Sequence, residues 1–169
     1  MAALAWLGPR ARGEVLARIS TETVRRIEEA TRVDWLPVEM LLEICGSIRD
    51  VSGLEAVRGW SRAAVNGALQ GSLFRPFLEG VVAIFGLSPA ACCKVLPKAY
   101  AAAFRNCGEL FVEEGSDRVV RAALRGLPPL ARTEDFRVAI AGAFEVIFDA
   151  CRVEGSVDVE LVGEAADPC

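Results

Sequence analysis

The chain has 169 residues, 53% of them hydrophobic, with a net charge of −4 and no histidine. That length suits one domain with one sizeable core, and the hydrophobicity excludes wholesale disorder. The acidic balance argues against a nucleic-acid footprint; the missing histidine removes Ser-His-Asp and Cys-His catalysis, histidine-ligated haem and the common histidine-containing zinc sites.

A first helix is expected over residues 13 to 31, on the weak apolar stripe of Val15, Ile19, Val24 and Ile27. Arg10, Arg12, Arg18, Arg25, Arg26 and Arg32 are interleaved there with Glu14, Glu22, Glu28 and Glu29. Mixed signs read as a solvated helix face rather than a phosphate track. "VDWLP" ends this helix, because a residue before proline avoids the helical region. Pro37 suits the first turn of a second helix, in which Met40, Leu41, Ile44, Cys45 and Ile48 share a buried face.

"SGLE" at 52 to 55 has capping-box spacing and opens a third helix to about Leu69. Leu54, Val57, Ala64, Val65 and Ala68 lie near one face with Trp60 at its border. Gly59 and Gly67 weaken that helix, so close backbone contacts are expected at both. A short, nearly all-apolar helix is expected from Pro76 to Phe85 and belongs in the core. Ser88 caps the next helix and Pro89 opens it, while Pro97 should kink or divide it.

The character of the chain changes at Cys107–Gly108. Gly108 reads as a helix stop; "ELFVEE", the turn "GSD" at 115 to 117 and "RVVRAALR" read as a β-hairpin. Thr133, Glu134 and Asp135 cap a last long helix with the stripe Phe136, Ile140, Ala143, Phe144, Ile147 and Cys151. "SVDVELV" alternates as a half-buried strand, and the most economical assembly pairs it with the hairpin. The fold class is therefore α+β: mainly helical, with helices packed on a small antiparallel sheet. Three parts are expected: an N-terminal helix and arm at 1–32, an α+β domain at 33–163 and a flexible tail at 164–169.

"DWLPVEMLLEIC", "LSPAACCKVLPKAYAAAFRNCGELFVEEG" and "FRVAIAGAFEVIFDACRVEGSVDVELV" together resemble the TRAPP-like superfamily over residues 33 to 163. That superfamily spans transport-protein-particle subunits, vinyl-reductase-type ligand-binding domains and an uncharacterised myxobacterial family of similar length. The resemblance implies helices on one side of a twisted antiparallel sheet, dimerisation through helices, and in some members a hydrophobic channel for an acyl chain or small molecule. By analogy it also implies a regulatory protein partner. It carries no catalytic signature.

Cysteine use supports a cytoplasmic reading with reduced thiols, since a chain this large and apolar needs no disulfide staples. "MAALAWLGPRARG" is apolar first and basic after, the reverse of a signal peptide. The longest uncharged run, residues 80 to 93, is too short to span a bilayer, so no transmembrane segment is expected. Cys92 and Cys93 are adjacent on a helix and diverge by about 100°. They would join a four-thiolate site with Cys107 and Cys151 only if the fold converged them, and buried cysteines are by default small hydrophobes. Glu43, Glu145 and Asp149 read as solvated helix carboxylates rather than an acid–base pair. Gly142, between Ala141 and Ala143, reads as tight helix packing. Trp6, Trp35 and Trp60 are candidate exposed anchors.

The function expected is a non-enzymatic binding module, a homodimeric adaptor or sensor, with neither cofactor nor bound metal, no nucleic-acid partner and no catalytic residue. A small hydrophobic ligand or acyl chain would be lined by Ile44, Phe77, Val81, Phe85, Phe144 and Phe148. The alternative is a thiol-dependent enzyme or metal-thiolate protein using Cys92, Cys93 and Cys107.

Overall fold

The structure, a computed structural model, describes residues 2–31, 34–69, 88–116 and 119–159. After a 3-10 turn at Ala2–Leu7 come α1 (Pro9–Leu16), α2 (Thr21–Glu29), α3 (Val38–Ser52) and α4 (Leu54–Leu69). Then follow α5 (Pro89–Ala103), β1 (Glu109–Ser116), β2 (Val119–Arg125), a 3-10 turn at Pro129–Ala131 and α6 (Glu134–Cys151). The fold is α+β and mainly helical, with a two-stranded antiparallel sheet. The expected helix from Pro76 to Phe85 and the tail at 164–169 lie outside the described residues.

The single helix expected over 13–31 is two. Ser20 breaks it, because its hydroxyl accepts the Thr23 amide and caps α2. The break is pinned from outside: the Glu43 carboxylate on α3 accepts the Ser20 amide at 2.6 Å and the Thr23 hydroxyl. A side chain competing for backbone donors outweighs a weak helical stripe. Ser52 likewise does not cap α4. It is the last residue of α3, and Gly53 makes the break at φ 84.

Ser88 caps α5 and Pro89 opens it, as expected. Pro97 does not divide α5, although it leaves the Cys93 carbonyl without its intrahelical donor. The helix ends before Gly108. Phe104 leaves it in extended conformation, stacks on Tyr100 at 4.8 Å and sets its edge against Phe136. Gly108, at φ 79, instead begins the hairpin. A Cβ there would stand 2.5 Å from the Arg125 carbonyl oxygen, so only glycine lets the two strand ends approach.

The hairpin runs in register from Glu109↔Arg125 to Glu113↔Arg121, with an irregularity before Ser116↔Val119. The expected third strand is absent from the described residues: 153–159 form no ladder. Val157 and Val159 are half-buried and Asp158 is exposed, so the alternation gives the burial correctly. The carbonyls have a different partner, however. Arg58 donates to the Val157 carbonyl oxygen and Arg137 to that of Val159, each at 2.7 Å. Two guanidinium groups satisfy an extended segment that would otherwise need a sheet.

Two cores result. Leu4, Val15, Ile19, Ile44, Cys45, Ile48, Val57 and Trp60 form one with Ala139; Tyr100, Cys107, Leu110, Ala131, Phe136 and Ile140 form the other. α6 contributes to both. Its close crossing with α4 is set by Gly142, where a Cβ would come 2.2 Å from the Arg58 carbonyl oxygen. The tight packing expected at Gly142 is present. Of the two α4 glycines, Gly59 lies under the Trp6 ring, whereas Gly67 meets nothing within 4 Å among the described residues. Trp60 is buried; Trp6 and Trp35 are exposed, with the Arg105 guanidinium 4.3 Å from the Trp35 ring.

Candidate functional site

The polar centre of the molecule is the α4–α6 seam. Arg58, Arg62 and Asn66 recur at four on α4, and Glu145 and Asp149 recur at four on α6, so both rows face each other. Arg58 pairs with Glu145; Arg62 reaches Asp149 and, at 3.5 Å, Glu145. Asn66 donates to Asp149 at 2.8 Å. Glu145 is only 6% exposed, so it is a buried paired charge and not the solvated carboxylate its position suggested. The arginine and asparagine donors hold Asp149 down at about 2. Both carboxylates are thus committed to cations. Glu43 is likewise held below its ordinary range, chiefly by the Thr23 hydroxyl. Asp149 and Glu43, both shifted away from neutral pH, are not poised for proton transfer.

The second constellation is the thiol end of the α5–α6 seam. Cys92, four residues into α5, and Cys151, the last residue of α6, bring their sulfurs to 3.8 Å. Both are buried, and burial is the main cause that pushes the Cys151 thiol up to about 11. Cys93 is half-buried and also raised, mainly by desolvation. Cys107 lies in the second core, near the far end of α5, where its carbonyl accepts the Tyr100 hydroxyl at 2.6 Å. Its thiol is raised by burial. Cys45 belongs to the first core, and burial with the nearby Asp135 charge pushes it up to about 12. The four-thiolate arrangement is not assembled: among the described residues no group of three or more cysteine, aspartate or glutamate side chains could hold a metal ion.

Three of the six residues expected to line a ligand channel fall within the described residues. Ile44 is in the first core, Phe144 packs against the second, and the Phe148 ring covers Gly155. Phe77, Val81 and Phe85 lie outside the described residues. The described residues include a surface hollow of about 390 Å³ between Leu7–Glu14 and Val51–Ser52, and a second of about 470 Å³ beside Gly108, Phe111 and Arg125.

That second hollow adjoins the outer face of the hairpin. Leu110 is buried on the inner face, where Leu124 also packs against the second core. Glu109, Phe111 and Glu113 project outward opposite Arg125, Ala123 and Arg121. Phe111 is 42% exposed, and the Arg125 guanidinium lies 5.3 Å from its ring. The face therefore has an apolar middle, an acidic border on β1 and a basic border on β2. The alternation of "ELFVEE" and "RVVRAALR" locates these residues on one face, but the charge segregation appears only once the register is known. Among the described residues no helix is long and apolar enough to cross a membrane. No known protein family model, curated protein or solved structure matches the chain.

Proposed function

We propose that this chain is a non-enzymatic binding module, an adaptor or sensor that works as a homodimer. The outer face of the hairpin carries the proposal. A two-stranded hairpin is marginal by itself and gains from a further covering layer. Here exposed Phe111 stands on β1 between Glu109 and Glu113, and Ala123 stands opposite it on β2 between Arg121 and Arg125. A two-fold axis parallel to the strands and midway between β1 and β2 would set Glu109 and Glu113 of one copy against Arg125 and Arg121 of the other, with Phe111 against Ala123. Such self-complementarity is what an isologous interface requires. Raised Cys93 and Cys107 thiols and carboxylates committed to arginines support a binding role over thiol or acid–base chemistry.

Sedimentation equilibrium across a concentration series tests this. A dimer is expected, weakened by Phe111→Glu and by added salt, since its rim charges are screened. Glu113→Arg should weaken it and the double variant Glu113→Arg/Arg121→Glu should restore it. A monomer at every concentration, or a dimer indifferent to all three changes, refutes the proposal.

A further inference from the structure

The buried thiols Cys92 and Cys151 have no role in the proposed interface, and they are not explained as core filler alone. They lie 59 positions apart in sequence with their sulfurs 3.8 Å apart. A disulfide needs about 2 Å, so the sulfurs must close by about 1.8 Å, within reach of small χ1 rotations at two side chains. The position in the fold is also distinctive. α5 and α6 run antiparallel: Phe104 meets Phe136 at one end of their seam, and Cys92 meets Cys151 at the other. The aromatic end is fixed by ring packing and by the Tyr100 hydroxyl. Among the described residues the thiol end has no comparable clamp, and Ser88, Arg152 and Glu154 there are exposed while Cys93 is half-buried.

We infer that Cys92 and Cys151 form a redox-responsive staple, closed by a low-molecular-weight disulfide such as oxidised glutathione. One sulfur, as thiolate, attacks the small disulfide and expels one thiolate, leaving a mixed disulfide on the protein. The second protein sulfur attacks the protein side of that bond and expels the other thiolate. The two protein thiols lose two electrons, the small disulfide gains them, and the two released protons go to the two leaving thiolates. The product ties the start of α5, the helix that backs the hairpin, to the end of α6.

The test uses the full reduced chain, incubated under native conditions with oxidised glutathione. Remaining thiols are then blocked and the peptides mapped by mass spectrometry. The expected result is an intramolecular Cys92–Cys151 link and a melting temperature raised by about 5 °C or more, reversed by dithiothreitol. C93S, C45S and C107S should retain the link, and C92S or C151S should lose the gain in melting temperature. In urea, oxidation should scatter over other pairings. Stable glutathione adducts without the link, links between chains, or a link that forms equally well in urea would each overturn the inference. Peptide mapping of the unmutated chain decides the matter even if C151S fails to fold.

Discussion

Replacing Gly142 by alanine should destabilise the molecule, although alanine is the better helix former. The added Cβ would stand 2.2 Å from the Arg58 carbonyl oxygen, 2.9 Å from its carbon and 3.1 Å from its Cα. Ordinary contact begins near 3.4 Å, so α4 and α6 must separate by about 1 Å. The obstruction is backbone, and Arg58 is held by Glu145 and the Val157 carbonyl, so it has little room to retreat. Overpacking of this kind costs about 1–3 kcal/mol or more. The helix-propensity gain is about 1 kcal/mol. Parting α4 from α6 also strains the contacts of Trp60 and Ser61, whose hydroxyl donates to the Ala139 carbonyl at 2.7 Å. The net loss should be about 2 kcal/mol. Gly67→Ala is the internal control: none of the described residues lies within 4 Å, so it should gain about 0.5 kcal/mol near a helix end. Urea denaturation of both variants gives the comparison. If Gly142→Ala matches or exceeds the wild-type midpoint, the close crossing of α4 and α6 is wrong.

Two further outcomes follow from the same seam. Asp149 titrates at about 2 in the folded chain against 3.8 in the unfolded, so the folded carboxylate is the more acidic. Its contribution is then complete above the unfolded value and is lost as the pH falls from about 4 towards 2. Its side chain is 33% exposed, and solvent screening limits the effect to about 1 kcal/mol. Asp149→Asn should flatten that part of the acid-denaturation curve, and an unchanged curve would count against the pairing. Arg58→Ala should cost about 3 kcal/mol, because it strips buried Glu145 of its nearer cation. Glu145→Gln should recover part of that loss, and limited proteolysis should cut faster at residues 153–159; no recovery in the double variant would argue that Glu145 carries little charge-pairing energy.

Much of the architecture could be read from the residues because it rests on local rules. Ser88 and Thr133 sit where a cap must, and each accepts an amide three residues on. Of the α3 stripe, Met40, Ile44, Cys45 and Ile48 are buried, as its spacing requires, and Leu41 is half-buried. The hairpin follows from two alternating runs around a turn. The errors occur where a distant side chain decides. Nothing near Ser20 announces that Glu43 will hold it, and nothing near Val157 and Val159 announces arginines 99 and 22 positions away from them in the chain. Ion pairing between α4 and α6 was hidden for the same reason: each row has the spacing of a solvated face, and only the crossing at Gly142 shows that the rows confront each other. The meeting of Cys92 with Cys151 depends on the antiparallel run of α5 and α6, which periodicity cannot fix.

The sharing of α6 between both cores has a bearing on biosynthesis. α3, α4 and α5 leave the ribosome earlier, carrying apolar residues whose final cover is still inside the exit tunnel. Until residues 134–151 emerge, α3, α4 and α5 have no completed interior to enter. Nascent chains arrested before that point should therefore be strong clients for chaperones, and those released after it should not.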